Sequence, residues 1–256
     1  MKEKLTIIKV GGKIVENDNS LAALLMQFSA IEGCKLLVHG GGRTATDIAA
    51  RLGIETIMVN GRRVTDAAML DVVTMVYGGL VNKKVVARLQ ASGINALGLT
   101  GADMNVMLSE KRPVKDVDYG FVGDVKKVDG ARLAQLIQSG ITPVMAPLTH
   151  DGKGAMLNTN ADTIAAETAK ACADFFDTTL VFCFEFPGVM RNPEDLTSII
   201  PEITPESFEQ LKADGIVTGG MIPKIENALD AVRLGVSKVV ITQADALLDG
   251  GTTIHL

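Results

Sequence analysis

Twice in the first forty residues an aliphatic run ends abruptly in glycine. LTIIKV, residues 5–10, meets Gly11-Gly12, and KLLVH, residues 35–39, meets Gly40-Gly41-Gly42. Continuous aliphatic runs of this length, bounded by turn residues, predict strands buried on both faces. Each is followed by a helical pattern, one through 20–31 and one through TATDIAAR, 44–51, with a glycine stop at Gly53. Strand, glycine turn, helix and strand, repeated in that order, restrict the chain to an α/β architecture with a mainly parallel sheet.

The rest of the chain continues the theme. IETIMV leads as a strand into Asn60-Gly61 and then two adjacent arginines, Arg62 and Arg63. Residues 66–90 read as one long helical region, or two with a break at Gly78-Gly79. Further strands are predicted at 94–99, 141–148, 178–185 and 236–242, and helices at 129–140, 160–174 and 205–215, with another after Gly219-Gly220. Between 103 and 128 weaker alternating runs suggest an antiparallel excursion at the sheet margin, acting as a lid. With 256 residues, 47% of them hydrophobic, the chain can bury a sizeable core as one domain or two fused lobes. The division falls near residue 175, giving lobes 1–174 and 175–256.

Several classes are set aside by composition. A net charge of -5 without a long Lys/Arg run argues against a nucleic-acid partner. Cys34, Cys172 and Cys183 are far apart in apolar surroundings, the usage of reduced packing residues. His39, His150 and His255 form no metal-binding motif, so no dedicated protein metal site is expected. Neither a signal-like start nor a membrane-spanning run is found, and a soluble cytoplasmic protein is the expectation.

The chemistry gathers around MLNTNADTIAAETAKA, 156–171. Asn160 is placed to cap a helix whose first turn holds Asp162, where the helix dipole favours an anion. Glycine turns at 9–12, 39–42 and 218–220 would let backbone N–H groups approach anionic oxygen. None matches GxxxxGK[ST], and the first two also fail GxGxxG. Lys9 ends a buried strand and Lys224 starts a helix behind Gly219-Gly220. Each has an ordinary local reading: a strand-end lysine reaching solvent, an exposed helix lysine, a capping asparagine. Converging, Lys9, Lys224 and Asp162 would form a site with surplus positive charge, suited to a transferring phosphoryl group. Arg63, or equally Arg62, would suit bidentate recognition of a carboxylate, and Asn158 could donate to the same small acid. His39 reads as a satisfied strand-end histidine rather than a general base.

As a set, IIKVGGK, LLVHGGGR, NGRRVT, MLNTNAD and GGMIPKIENALDA resemble, in order and spacing, the amino-acid kinase family across residues 5–254. The likeness is nearest to members that phosphorylate the side-chain carboxylate of N-acetylglutamate with ATP in arginine synthesis. The resemblance implies a three-layer sandwich around a mainly parallel central sheet, with an acyl-amino-acid-binding, dimer-forming N-terminal lobe and an ATP-binding C-terminal lobe. It implies that Lys9 and Lys224 neutralise the transferring phosphoryl group and that Asp162 orients both. Gly11 and Gly12 fall on the phosphate-binding turn, and Gly40 and Gly41 near the acceptor and phosphoryl group. Arg63 corresponds to the ligand of the acceptor's α-carboxylate, and Asn158 to a residue touching its α-amino-acid portion. Mg2+ would be held mainly by ATP phosphates and water.

One departure stands out. Phe184-Glu185 replaces the Ser-Asp pair that usually helps form the nucleotide site after the ATP-lobe strand. Within the acylglutamate kinases an N-succinyl acceptor is the alternative to N-acetyl; the two differ only at the acyl end. A homodimer is implied, lacking the extra N-terminal helix of arginine-inhibited hexamers, since about four residues precede the first strand. A non-catalytic nucleotide or amino-acid sensor is the competing class, against which the retained Lys9, Asp162 and Lys224 weigh.

Overall fold

The computed structural model describes residues 1–192, 194–244, 246–247 and 250–256. Its first segments are β1 (Lys4–Val10), α1 (Gly12–Glu16), α2 (Asp18–Ala30), β2 (Cys34–His39) and α3 (Gly42–Arg51). A two-stranded ribbon of β3 (Met58–Val59) and β4 (Arg62–Arg63) turns at Asn60-Gly61. Both turn residues have positive φ, +50° and +73°, the requirement that makes Asn-Gly a favoured hairpin turn. Next come α4 (Ala67–Val73), α5 (Asn82–Ala91), β5 (Ala96–Leu99), β6 (Met107–Lys111), β7 (Gly123–Val128) and α6 (Gly130–Gln138). The middle closes with β8 (Thr142–Met145), β9 (Leu148–His150), β10 (Met156–Asn158) and α7 (Ala161–Cys172). The last segments are β11 (Asp177–Phe184), β12 (Glu202–Ile203), α8 (Pro205–Ala213), α9 (Met221–Arg233), β13 (Lys238–Gln243) and β14 (Thr252–Ile254).

Eight strands form one sheet in the order β12-β14-β13-β11-β1-β2-β8-β5. Its pairings are parallel except between β13 and β14. Alternation along β1 sends Leu5 and Ile7 into one core layer and Ile8 and Val10 into the other. The first layer also takes Ile164, Ala165 and Ala169 of α7 and Ile225, Ala228 and Leu229 of α9. The opposite layer takes Leu21, Leu24 and Phe28 of α2, Ala45 and Ala49 of α3, and Val85 and Leu89 of α5. This is the three-layer α/β arrangement read from the sequence, and the sheet runs unbroken through both 1–174 and 175–256.

Of the two readings of the helical region after Asp66, the unbroken one holds; α4 continues into α5 through a π-helical stretch, Thr74–Val81. Gly78 faces Leu148, where an added Cβ would come within 3.4 Å of the side chain. The antiparallel excursion is not at the margin of the main sheet. β6 and β7 belong to a separate four-stranded sheet, β10-β9-β6-β7. The polar residues leading into α7 form strand, because Met156–Asn158 pairs antiparallel with β9.

Candidate active site

Lys9 is brought inside by the pairing of its own strand. It is register-matched to Phe182 on β11 and to Val38 on β2, so its stem lies in the sheet and only 9% of the residue is exposed. Its ammonium reaches Asp162 Oδ1 at 2.8 Å. Asp162 stands in the first turn of α7, whose N-terminus Asn160 caps by accepting from Asp162 N at 2.7 Å and Thr163 N at 3.3 Å. The Lys9 contact is an ion pair outside hydrogen-bond geometry, and the buried Oδ1 makes no directed hydrogen bond among the described residues. Charge is therefore compensated while directional bonding capacity is left over. Lys224, in the first turns of α9 behind Gly219 and Gly220, lines a cleft of about 250 Å³ together with Asp162, Phe184 and Asn227.

The two N-terminal glycine turns touch. Gly40 N donates to Val10 O at 2.9 Å, and a Cβ on Gly40 would stand 3.0 Å from Gly12 N. A Cβ on Gly12 would meet Gly41 N at 3.3 Å. Only glycine allows this backbone-to-backbone approach. Gly11 and Gly41 are the N-caps of α1 and α3 and supply no side-chain cap. Glu16 stands in for part of that cap, accepting from Thr44 N at 2.8 Å. Behind the second turn His39 is wholly buried, with Nδ1 2.7 Å from Gly40 O and Nε2 3.1 Å from Asn82 Nδ2. Nδ1–H donates to the carbonyl, so Nε2 accepts from the amide. Burial pushes the imidazole pKa down to about 4, which keeps it neutral and excludes it as a base near neutrality.

A second cleft, of about 220 Å³, joins this turn to the β3–β4 ribbon. Gly40, Gly41, Met58, Arg62, Arg63, Tyr77, Asn158 and Asn160 line it. Arg63 is buried, with Nη2 donating to Gly42 O at 2.8 Å and Thr46 Oγ1 at 2.9 Å, and Nη1 to Thr56 Oγ1 at 3.2 Å. Among the described residues no carboxylate lies within 4.0 Å of it. A buried, hydrogen-bonded guanidinium without a counter-charge is a ready partner for a ligand carboxylate. Asn158 Nδ2 donates to Thr65 Oγ1 at 2.9 Å, which fixes the amide at the cleft wall.

The model of the amino acid kinase family matches residues 4–243. The chain belongs to the amino acid kinase family. Among its relatives is an acetylglutamate kinase of Phocaeicola vulgatus, 69% identical and covering 99% of each chain. Another of that name, from Bacteroides thetaiotaomicron, is 68% identical over 99% of each chain. Among solved structures, a Streptococcus mutans protein aligns over 98% of both chains with a TM-score of 0.79 and 28% identity. Carbamate kinase from Giardia lamblia bound to AMP-PNP aligns with a TM-score of 0.66, over 99% of this chain and 98% of that one. At 14% identity it speaks to the fold alone.

Of the residues read from the sequence, the structure joins Lys9 to Asp162, places Lys224 in the same cleft as Asp162, and gathers Arg63, Asn158, Gly40 and Gly41 around the adjoining one. Gly219 and Gly220 open onto unoccupied space at the start of α9. Glu185 is engaged by Lys13 in an ion pair. The departure from the amino acid kinase pattern acquires a position: the Phe184 ring lies under Lys224, whose Nζ is 4.0 Å from the centroid, and Lys9 Nζ is 5.6 Å from the same centroid. Sequence reasoning singled out Phe184 but not its contact with the two lysines, and it missed Tyr77. The i, i+2 spacing of Phe182 and Phe184 was the available signal, since it puts both rings on the face that carries Lys9. Arg62 lines both clefts; Arg43 lines neither.

Proposed function

We propose that this member of the family transfers the γ-phosphoryl group of ATP to the side-chain carboxylate of N-acetyl-L-glutamate, giving N-acetyl-L-glutamyl 5-phosphate in arginine biosynthesis. The observation that carries it is the adjacency of two clefts: one is lined by Lys224 and by Asp162, which pairs with Lys9, and the other is lined by Arg63 without a counter-charge. The names of the relatives give the same reaction.

The acceptor's side-chain carboxylate is ionised at neutral pH, so no general base is required. What remains is alignment and offsetting of negative charge. Arg63 binds the α-carboxylate and Asn158 contacts the α-amino-acid portion, directing the side chain towards Gly40 and Gly41. Backbone N–H groups of Gly11 and Gly12 serve the phosphates on one side, with Gly219 and Gly220 beside Lys224 on the other. Lys9 and Lys224 neutralise the equatorial oxygens as charge spreads over them, and Asp162 holds Lys9 in place. Among the described residues no group of three or more His, Cys, Asp and Glu side chains could cage a metal. Mg2+ would be carried on ATP phosphates and water, where it would offset phosphate charge. In this reading residues 1–174 bind the acceptor and 175–256 the nucleotide. Glu185 acts at the nucleotide side through Lys13.

The chain is further proposed to work as a homodimer through its N-terminal lobe. Support comes from β5, which ends the sheet, and from exposed Leu97, Leu80 and Met75 on and beside it. No helix of the described residues is long and apolar enough to cross a membrane.

Arg62 at the acceptor wall favours a second reading, in which the acyl group carries its own carboxylate and the acceptor is N-succinyl-L-glutamate. One assay separates the two: phosphoryl transfer from Mg-ATP, with each acylglutamate titrated to saturation. Saturable transfer to N-acetylglutamate is expected, and Arg63→Ala should raise the acceptor KM about tenfold or more at an unchanged circular dichroism spectrum. Selective transfer to the succinyl acceptor would replace the first reading by the second. No transfer to either would end both.

A further inference from the structure

The structure assigns Phe184 as a positioning residue for both lysines, Lys9 and Lys224, through the attraction of its ring for their ammonium groups. This rests on the phosphoryl-transfer reading above. Two like charges brought to one cleft repel each other, and only Lys9 has a carboxylate partner among the described residues. Lys224 has the ring instead, at 4.0 Å from its centroid, and Lys9 approaches the same ring at 5.6 Å. Both distances lie within the range in which an ammonium is attracted by an aromatic quadrupole.

The ring is itself fixed. Phe184 stacks on Phe182, with centroids 6.0 Å apart and planes inclined by 16°, and Phe182 is buried in register with Lys9 and Ile241 on the two flanking strands. A neutral ring differs from a carboxylate in one useful way. It stabilises the Lys224 ammonium without cancelling its charge, so the N–H groups turned away from the ring remain available to phosphate oxygens. That is preorganisation at the place where charge develops, obtained with a residue that cannot supply the hydroxyl hydrogen bond of the serine usual at this position.

The test replaces Phe184 by 4-fluoro-, 3,5-difluoro- and 3,4,5-trifluorophenylalanine, which weaken the ring's attraction for cations at nearly constant shape, alongside Phe184→Leu and Phe184→Tyr. With Mg-ATP and saturating acylglutamate, kcat should fall stepwise with fluorine number, to about tenfold in the trifluoro and leucine forms. The acceptor KM should stay within about twofold, and Phe184→Tyr should recover most of the loss. A flat series in folded protein would make the ring mere packing and overturn the assignment. An NMR measurement reads the same contact without turnover: the Lys224 ε-methylene protons should be shifted upfield by the ring and return on Phe184→Leu. Absence of that shift would overturn the assignment whether or not the enzyme reads as active. Failure of the wild-type protein to phosphorylate any acylglutamate, with the shift present, would instead count against the proposed function alone.

Discussion

His39 has both ring nitrogens committed inside the protein, one to Gly40 O and one to Asn82. The imidazole therefore braces the second glycine turn, and its low pKa has a consequence for stability. In the unfolded chain the group protonates near 6.5, whereas in the folded state it resists until about pH 4. Protons then bind the unfolded state preferentially across that window. The stability tied to neutral His39 is complete above pH 6.5 and is lost as pH falls towards 4, below which the loss levels off. Between pH 7 and pH 5 this amounts to about 2 kcal/mol. Urea unfolding at those two pH values should show wild type losing about 2 kcal/mol more than His39→Gln, which cannot take up the proton. Equal losses would show that His39 is not buried neutral in solution.

At the scale of elements, the site is made where turns meet, and the contact between Gly12 and Gly40 is the narrowest of these junctions. Gly40→Ala places a methyl 3.0 Å from Gly12 N, against backbone that cannot swing away. The turns must spread, at a cost of about 1–3 kcal/mol in thermal stability. Turnover should fall as well, by about tenfold, for a shift of a few tenths of an ångström in the groups that align phosphoryl donor and acceptor. Folded Gly40→Ala with wild-type kcat would show that the close approach serves packing only. Much of this was legible beforehand. Long aliphatic runs such as 5–10 and 178–185 are strands whatever surrounds them, and Asn160 caps α7 by a local rule. What was not legible depends on partners distant in sequence. The three-residue strands β9 and β10 exist only because they pair with each other and with β6, and the excursion at 103–128 was assigned to the wrong sheet for that reason. The π-helical stretch is likewise fitted to β9, a neighbour that local propensity does not announce. Convergence of Lys9 and Asp162 could be anticipated from strand and helix ends, but the ring that both lysines approach could not, because it needs the register of β1 against β11.

For the whole molecule, the sheet has two ends that are treated differently. At one end β12 is two residues long and, among the described residues, pairs only with β14. At the other, β5 pairs with β8 on one side and has no strand on its other side among the described residues. An edge with free N–H and C=O groups is a template for pairing with another chain. Here it is bordered by exposed Leu97 and by Leu80 and Met75 on the helical segment leading into α5, which packs on β5. Its outward carbonyls are held by side chains of α5, Gly98 O by Lys83 Nζ at 3.3 Å and Ala96 O by Gln90 Nε2 at 3.1 Å, so a pairing chain has to displace them. Pairing β5 with its copy across a twofold axis would exchange those side-chain contacts for backbone pairing and cover the apolar side chains while leaving both clefts, which lie around β1, α7 and the β3–β4 ribbon, outside the junction. Light scattering should accordingly give twice the chain mass. Leu80→Glu combined with Leu97→Glu should return the monomer, because like charges facing their own copies across the axis repel. The double variant should keep its circular dichroism spectrum, since both side chains are exposed in the single chain. A wild-type monomer, or a dimer indifferent to both charges, would place the contact elsewhere or remove it.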